Sequence, residues 1–230
     1  MLDDEGSRHH RPVREGSSDE GGPDLSRILA LSDGIFAFAM TLLALSLVVP
    51  TYTTAPGDPS GWLANQLWEE RGAFGTYAIG FLLLGIWWSA HTRLFTHMRR
   101  WDRPLQWFNL LFLLTIAVAP FFTRLLLTYP DVRTASIVYS AFQMFTGLVL
   151  AGIWFYASAG RRLLWPTVTD LTIRTWRVRA LLGPAVFALA IGLAFIDPLY
   201  SLYSYLLLFP LQWLTGRRLQ RVARALESAG

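Results

Sequence analysis

Residues 27–50, RILALSDGIFAFAMTLLALSLVVP, form an apolar run long enough to cross a bilayer, yet Ser32 and Asp33 sit side by side in its first half. A membrane-spanning helix needs about 20 predominantly apolar residues. A carboxylate inside one is expensive unless it faces a lined cavity or a bonded helix junction. The run therefore predicts a membrane helix that carries either a function or a joint.

The rest of the chain repeats the apolar pattern. Of its 230 residues, 53% are hydrophobic and only 16% charged, whereas ordinary soluble domains carry about 25% charged residues. Spans are predicted over residues 26–50, 73–96, 105–127, 134–158, 178–196 and 199–215, most of them near the required length. Asp197-Pro198 leaves only a tight turn between the last two, and Pro198 suits the first turn of a sixth helix. A broken, re-entrant pair is the alternative there. The predicted fold class is an all-alpha integral membrane protein with six transmembrane helices.

Residues 1–24 mix charge with Gly, Ser and Pro and read as a disordered polar tail. They lack the apolar core of a secretory signal. The six-helix domain is expected over 25–216, and a basic tail, RRLQRVARALE and its end, over 217–230. That tail reads as a helix on the inner leaflet, not as a nucleic-acid arm. Cysteine is absent, which excludes disulfides and thiolate chemistry, and His9 and His10 read as incidental tail residues. No cofactor or metal site is expected.

All twenty basic residues are arginine. On the predicted topology, seventeen fall on one side, including Arg27, Arg93, Arg99, Arg161 and Arg217. Only Arg71, Arg124 and Arg133 fall on the other. The positive-inside rule makes the rich side cytoplasmic and, with six spans, puts both termini there. This distribution between spans, not along one surface stripe, argues against nucleic acid as a partner. Ten tryptophans and eight tyrosines gather near span ends as an aromatic belt. Residues 63–72, LANQLWEERG, are expected to form a short interfacial helix outside.

Within the first span, Phe38, Leu42 and Leu45 recur at spacings of four and three, so they share a face that Thr41 adjoins. Any membrane helix shows such spacing, and the stripe alone does not make a pore. Gly34, Ala37, Ala39 and Ala44 would permit close helix approach. Antiparallel connectivity brings Asp33 and Ser32 to the level of His91 in span two and Asn109 in span three. A network of these four would satisfy groups that are costly unpaired in lipid. Arg27 either snorkels from the helix start or joins the same carboxylate. A structural clamp is the preferred reading of Asp33 and His91, with direct ion contact the alternative.

Residues 27–43, RILALSDGIFAFAMTLL, resemble the first-helix signature of the transmembrane protein 175 family, which includes lysosomal potassium channels and prokaryotic homologues. Residues 87–95, WWSAHTRLF, are similar to its second helix, and residues 105–121, from LQWFNLLFL to PF, to its third. The resemblance implies a bacterial six-helix subunit in the inner membrane. It further implies a homotetramer with four copies of the first helix around a central pore, membrane lipid as the surround and no other partner. The family lacks a carbonyl-lined filter, and no TVGYG-like segment occurs in this chain either.

By register, the resemblance assigns the apolar constriction to Phe38, Leu42 and Leu45, with Thr41 as a polar pore-facing residue. It assigns Arg27, Ser32, Asp33 and His91 to holding the cytoplasmic end of that helix. The implied activity is passive potassium flow with modest selectivity over sodium, with potassium as the permeant species and no catalysis. Three positions depart from the family pattern: Leu31 stands for a phenylalanine, Phe38 for a smaller aliphatic residue, and Ser46 for a frequent acid. The rival classes are a proton- or cation-coupled secondary transporter, a membrane enzyme and a non-conducting structural membrane protein. A carrier would need broken helices or a central charged site, and an enzyme would need converging acids, histidines or a nucleophile.

Overall fold

The computed structural model describes residues 25–45, 47–52, 57–208 and 210–211. The predicted N-terminal tail, the basic C-terminal tail and Ser46 lie outside the described residues.

The chain builds five long helices: α1 (Leu25–Ala44), α3 (Arg71–Phe95), α4 (Arg103–Thr128), α5 (Arg133–Ser158) and α6 (Asp170–Ala194). A short α2 (Pro59–Glu69) precedes α3, and α7 (Pro198–Ser204) follows α6. Among the described residues, five helices are long and apolar enough to cross a membrane. This corrects the six-span expectation, and the even parity that put both termini on one side falls with it.

The sixth run fails for a local reason. Asp197 caps α7 by accepting the Leu199 N–H at 2.7 Å, and Pro198 starts it. After seven residues, about 10 Å of helix, the chain tightens into a 3-10 turn at Tyr205–Leu207. Polar residues within the run are turned inward. Ser140 on α5 lies 2.9 Å from the Tyr205 hydroxyl and 3.4 Å from Ser201 Oγ. Ser204 donates to the Ser201 carbonyl at 2.6 Å. Among the described residues, the segment is pinned against α5 and α6, and no helix there is long enough to cross a membrane.

Helix ends follow capping chemistry more than apolar run length. Asp102 accepts the Leu105 N–H at 3.0 Å and starts α4 two residues before the apolar run. Thr169 caps α6 through the Thr172 N–H, so that helix begins eight residues earlier than hydropathy alone suggests. Conversely α1 stops at Ala44, where Leu45 N–H bonds back to Leu42 in a tighter turn. A short helix does form near the residues expected for it, as α2, beginning four residues earlier and capped by Asp58.

The core centres on α5, packed between α4 and α6, with α1 lying across α4 and α3. Trp87 of α3 reaches into a slot made by two glycines. A Cβ on Gly147 or Gly183 would meet the Trp87 ring at 2.9 or 2.8 Å.

On the arginine-rich side, the α3–α4 turn is tied to the α5–α6 turn by a short bridge between Met98 and Leu164. Arg99 N–H bonds to the Leu163 carbonyl at 2.9 Å, and Trp165 N–H to that of His97 at 3.1 Å. Asp102 joins the same junction, accepting the Tyr156 hydroxyl at 2.7 Å.

His97, beside this bridge, sits edge-on to Trp154 and Trp176, with ring centroids 5.9 and 5.4 Å away. Burial holds its pKa below the ordinary 6.5. The unfolded chain then binds the proton first as pH falls, so the folded form loses stability below about pH 6.5 and the effect vanishes above it. Between about pH 7.5 and pH 5.5, the wild-type melting temperature in detergent should fall by a few degrees more than that of His97→Gln. Equal losses in the two proteins would remove His97 from the acid response.

Candidate functional site

α1 has two unlike faces. Phe36, Ala39 and Leu43 are fully buried against the rest of the chain. The opposite face is open: Leu31, Gly34, Ala37, Phe38, Thr41 and Leu45 are exposed, Phe38 at 66% and Leu45 at 73%. Positions 34, 38, 41 and 45 follow the four-three-four spacing that keeps side chains on one helix face. Leu42 lies half-buried at the edge of that face. Thr41 donates its hydroxyl proton to the Ala37 carbonyl, so its oxygen presents only lone pairs outward. Such an oxygen suits a cation.

Leu31 is 52% exposed and contributes little to packing inside the subunit. This places the family departure at that position on the open face.

Toward the arginine-rich end of α1, the buried face becomes polar. Ser32, His91 and Asn109 come together from α1, α3 and α4, each at most 2% exposed. His91 Nε2 lies 2.8 Å from Asn109 Oδ1, which requires the imidazole to donate there. Asn109 Nδ2 then donates to Ser32 Oγ at a longer 3.4 Å, and Ser32 donates to the Ile28 carbonyl at 2.9 Å. The chain of donors runs one way, from α3 through α4 into the backbone of α1.

His91 is fixed by stacking as well. Its ring lies parallel to Phe112 within 4°, 5.3 Å between centroids, with Phe95 at 4.4 Å and Phe36 at 6.0 Å. Hydrogen bonds in so apolar a setting are strong, and an orphaned partner is correspondingly costly. Asn109→Leu leaves the His91 N–H without an acceptor and takes from Ser32 Oγ the donor it accepts from. It should cost about 1–3 kcal/mol, read as a lower midpoint in denaturant titration of the purified protein. An unchanged midpoint would show that the three residues do not act as a joint.

Asp33 takes a different partner from its neighbour. It is exposed on α1, and its Oδ1 accepts the Trp88 indole N–H of α3 at 2.8 Å. Trp88 was not singled out by sequence reading, although an indole donor one turn before His91 is what a carboxylate at that depth needs. Arg27 is exposed, and neither a hydrogen bond nor an ion pair joins it to Asp33 in the described structure. Among the described residues, no cluster of three or more His, Asp or Glu could hold a metal ion.

The sequence of this same region carries a family signature. Residues 27–120 match the family described as endosomal/lysosomal potassium channel TMEM175. A potassium channel of Streptomyces collinus is 33% identical over 186 residues, covering 79% of this chain and 88% of that protein. A potassium channel of Chamaesiphon minutus is 32% identical, covering 76% of this chain and 86% of its own length. Among solved structures, the lysosomal potassium-selective channel TMEM175 homologue of Chamaesiphon minutus superposes with a TM-score of 0.72 at 25% identity. That superposition covers 83% of this chain and 97% of that one. The chain is a multi-pass membrane protein belonging to the TMEM175 potassium-channel family, not to an enzyme family.

Proposed function

We propose that this protein is a passive potassium channel in which the open face of α1 meets the same face of other copies around a water path. The observation that carries this reading is Asp33. It lies about 12 Å along α1 from its start, exposed on the flank between the packed and open faces, where α1 meets Trp88 of α3. A carboxylate facing lipid at that depth is costly, whereas one facing a hydrated vestibule attracts cations.

Farther along α1, on the open face itself, stand Thr41 and the apolar Phe38 and Leu45, with Leu42 at the margin. Apolar rings offer no coordinating oxygen, so they gate by expelling water when narrow and readmitting it when wide. Thr41 lone pairs beside the constriction supply the nearest ligands for a bare cation. Without a cage of carbonyls, discrimination against sodium is modest. Four copies are the expected assembly, in a bacterial inner membrane with the arginine-rich side cytoplasmic. Ser32, Asn109 and His91 hold the cytoplasmic part of α1 against the subunit, and Arg27 snorkels at its start.

Purified protein in liposomes tests the reading directly. Potassium efflux should scale with protein amount and continue without a coupled ion. Saturable, coupled uptake would make the protein a carrier instead, and background flux would leave it a structural component.

A further inference from the structure

α2 packs against α3, yet none of its residues is buried. At about 100° per residue, Leu63, Leu67, Ala64 and Trp68 fall within an arc of about 140°, and all four are exposed. Ser60, in the first turn, is the polar residue of that sector. Half-buried Trp62 and Gln66 lie outside the arc, with Asn65 and Glu69. Gln66 donates to Glu69 at 3.0 Å, so the polar flank is bonded within the helix. The other flank is an apolar face left open among the described residues.

The height of this face is fixed by the chain itself. Glu70 alone separates α2 from α3. Its N–H bonds back to the Gln66 carbonyl at 3.0 Å, and its carbonyl accepts the Ala73 and Phe74 N–H groups at 2.9 and 3.2 Å. From Arg71 onward, α3 is apolar enough to cross a membrane. α2 therefore stands at the rim of the arginine-poor leaflet, however copies of the chain assemble. At that rim the Arg71 guanidinium lies over the Trp68 ring, 4.8 Å from its centroid, and donates to the Trp68 carbonyl at 2.7 Å. Tryptophan rings favour the headgroup boundary, and arginine carries its charge outward to water and phosphate. On the chain leaving α1, Tyr52 meets Trp62 edge-on, with ring centroids 5.2 Å apart.

We propose that α2 lies in the bilayer surface of the arginine-poor leaflet, with Leu63, Ala64, Leu67 and Trp68 facing the acyl chains, and moors the chain leaving α1 there through Tyr52. The helix has no basic residue of its own, so its anchoring rests on apolar area.

The chain has no cysteine, so a single introduced cysteine takes a nitroxide label at one place. Full-length Leu67→Cys and Asn65→Cys are labelled in vesicles of phosphatidylcholine and phosphatidylglycerol. Collision of each label is read with oxygen, which concentrates among acyl chains, and with a water-soluble nickel chelate. At position 67, collision with oxygen should exceed that with nickel severalfold, at a depth of about 5–10 Å. At position 65 the ratio should reverse. A label on Thr51→Cys should gain mobility when Trp62→Ala is added, while the label at 67 keeps its depth. α2 contributes no buried residue, so these variants should fold as the wild type does.

Each contrary result overturns a stated part. Strong nickel collision at 67 would put the face in water and remove the anchor. Low collision with both reagents would put it under protein, as a contact between copies. Equal ratios at 65 and 67 would cancel the assignment of the face. Unchanged mobility at 51 in Trp62→Ala would release the chain leaving α1 from α2.

Discussion

Phe38→Ala is expected to raise potassium flux through reconstituted protein by about tenfold or more, the change that a barrier lowered by about 1.4 kcal/mol produces. Phe38 is the bulkiest side chain on the open face of α1 and 66% exposed within the subunit. Its removal takes nothing from the subunit core, which α1 reaches through Phe36, Ala39 and Leu43. The variant should therefore fold and assemble normally while the constriction widens and stays wet. The measurement is ion flux at matched reconstituted amounts. Wild-type flux from Phe38→Ala would move the constriction elsewhere on the helix. Phe36→Ala is the contrasting case: it hollows the core beside His91 and Phe112, and its loss is one of stability.

Asp33→Ala is expected to reduce the yield of the assembled oligomer severalfold while leaving a folded subunit. Within one chain Asp33 makes one hydrogen bond, to the exposed Trp88, so its loss removes about 0.5–1.5 kcal/mol of local stabilisation. On the proposed assembly the larger effect arises between copies, because Trp88 is left with an unpaired N–H at a surface that a neighbouring copy would cover. Asp33→Asn keeps an acceptor for the indole and should assemble better than Asp33→Ala. Cross-linking and size-exclusion profiles of the two variants provide the comparison. Wild-type oligomer yield from Asp33→Ala would confine the residue to a contact inside the subunit.

Much of this architecture is legible because apolar run length is a direct consequence of the bilayer. The runs underlying α1, α3, α4, α5 and α6 were each found. The sixth was misread because hydropathy counts Leu199, Leu202 and Leu206 without registering that Ser201, Ser204 and Tyr205 turn inward to bind α5. Capping side chains, and not the apolar runs, decided where α4 and α6 begin.

At the site, matching depths across antiparallel helices placed Ser32, His91 and Asn109 at one level. Depth orders residues along the membrane normal but says nothing of azimuth. Ser32 and Asp33 are adjacent, so they point about 100° apart on the helix. One turns into the subunit toward Asn109, and the other outward to Trp88.

The bridge between residues 97–100 and 163–165 has a mechanical corollary. It fastens the turns joining α3 to α4 and α5 to α6, so those four helices are linked at one end into a frame. α1 is outside that fastening and is bonded to the frame near Ser32, close to its own start. Beyond that point Phe36, Ala39 and Leu43 pack it against the frame, so a tilt would turn about a fulcrum near one end. From Ser32 to Leu45 the arm is about 20 Å long, and a tilt of about 5° would carry Leu45 sideways by about 1.7 Å. On the proposed four-copy assembly, such arms would alter the bore at their tips by about twice that distance while scarcely disturbing the fulcrum.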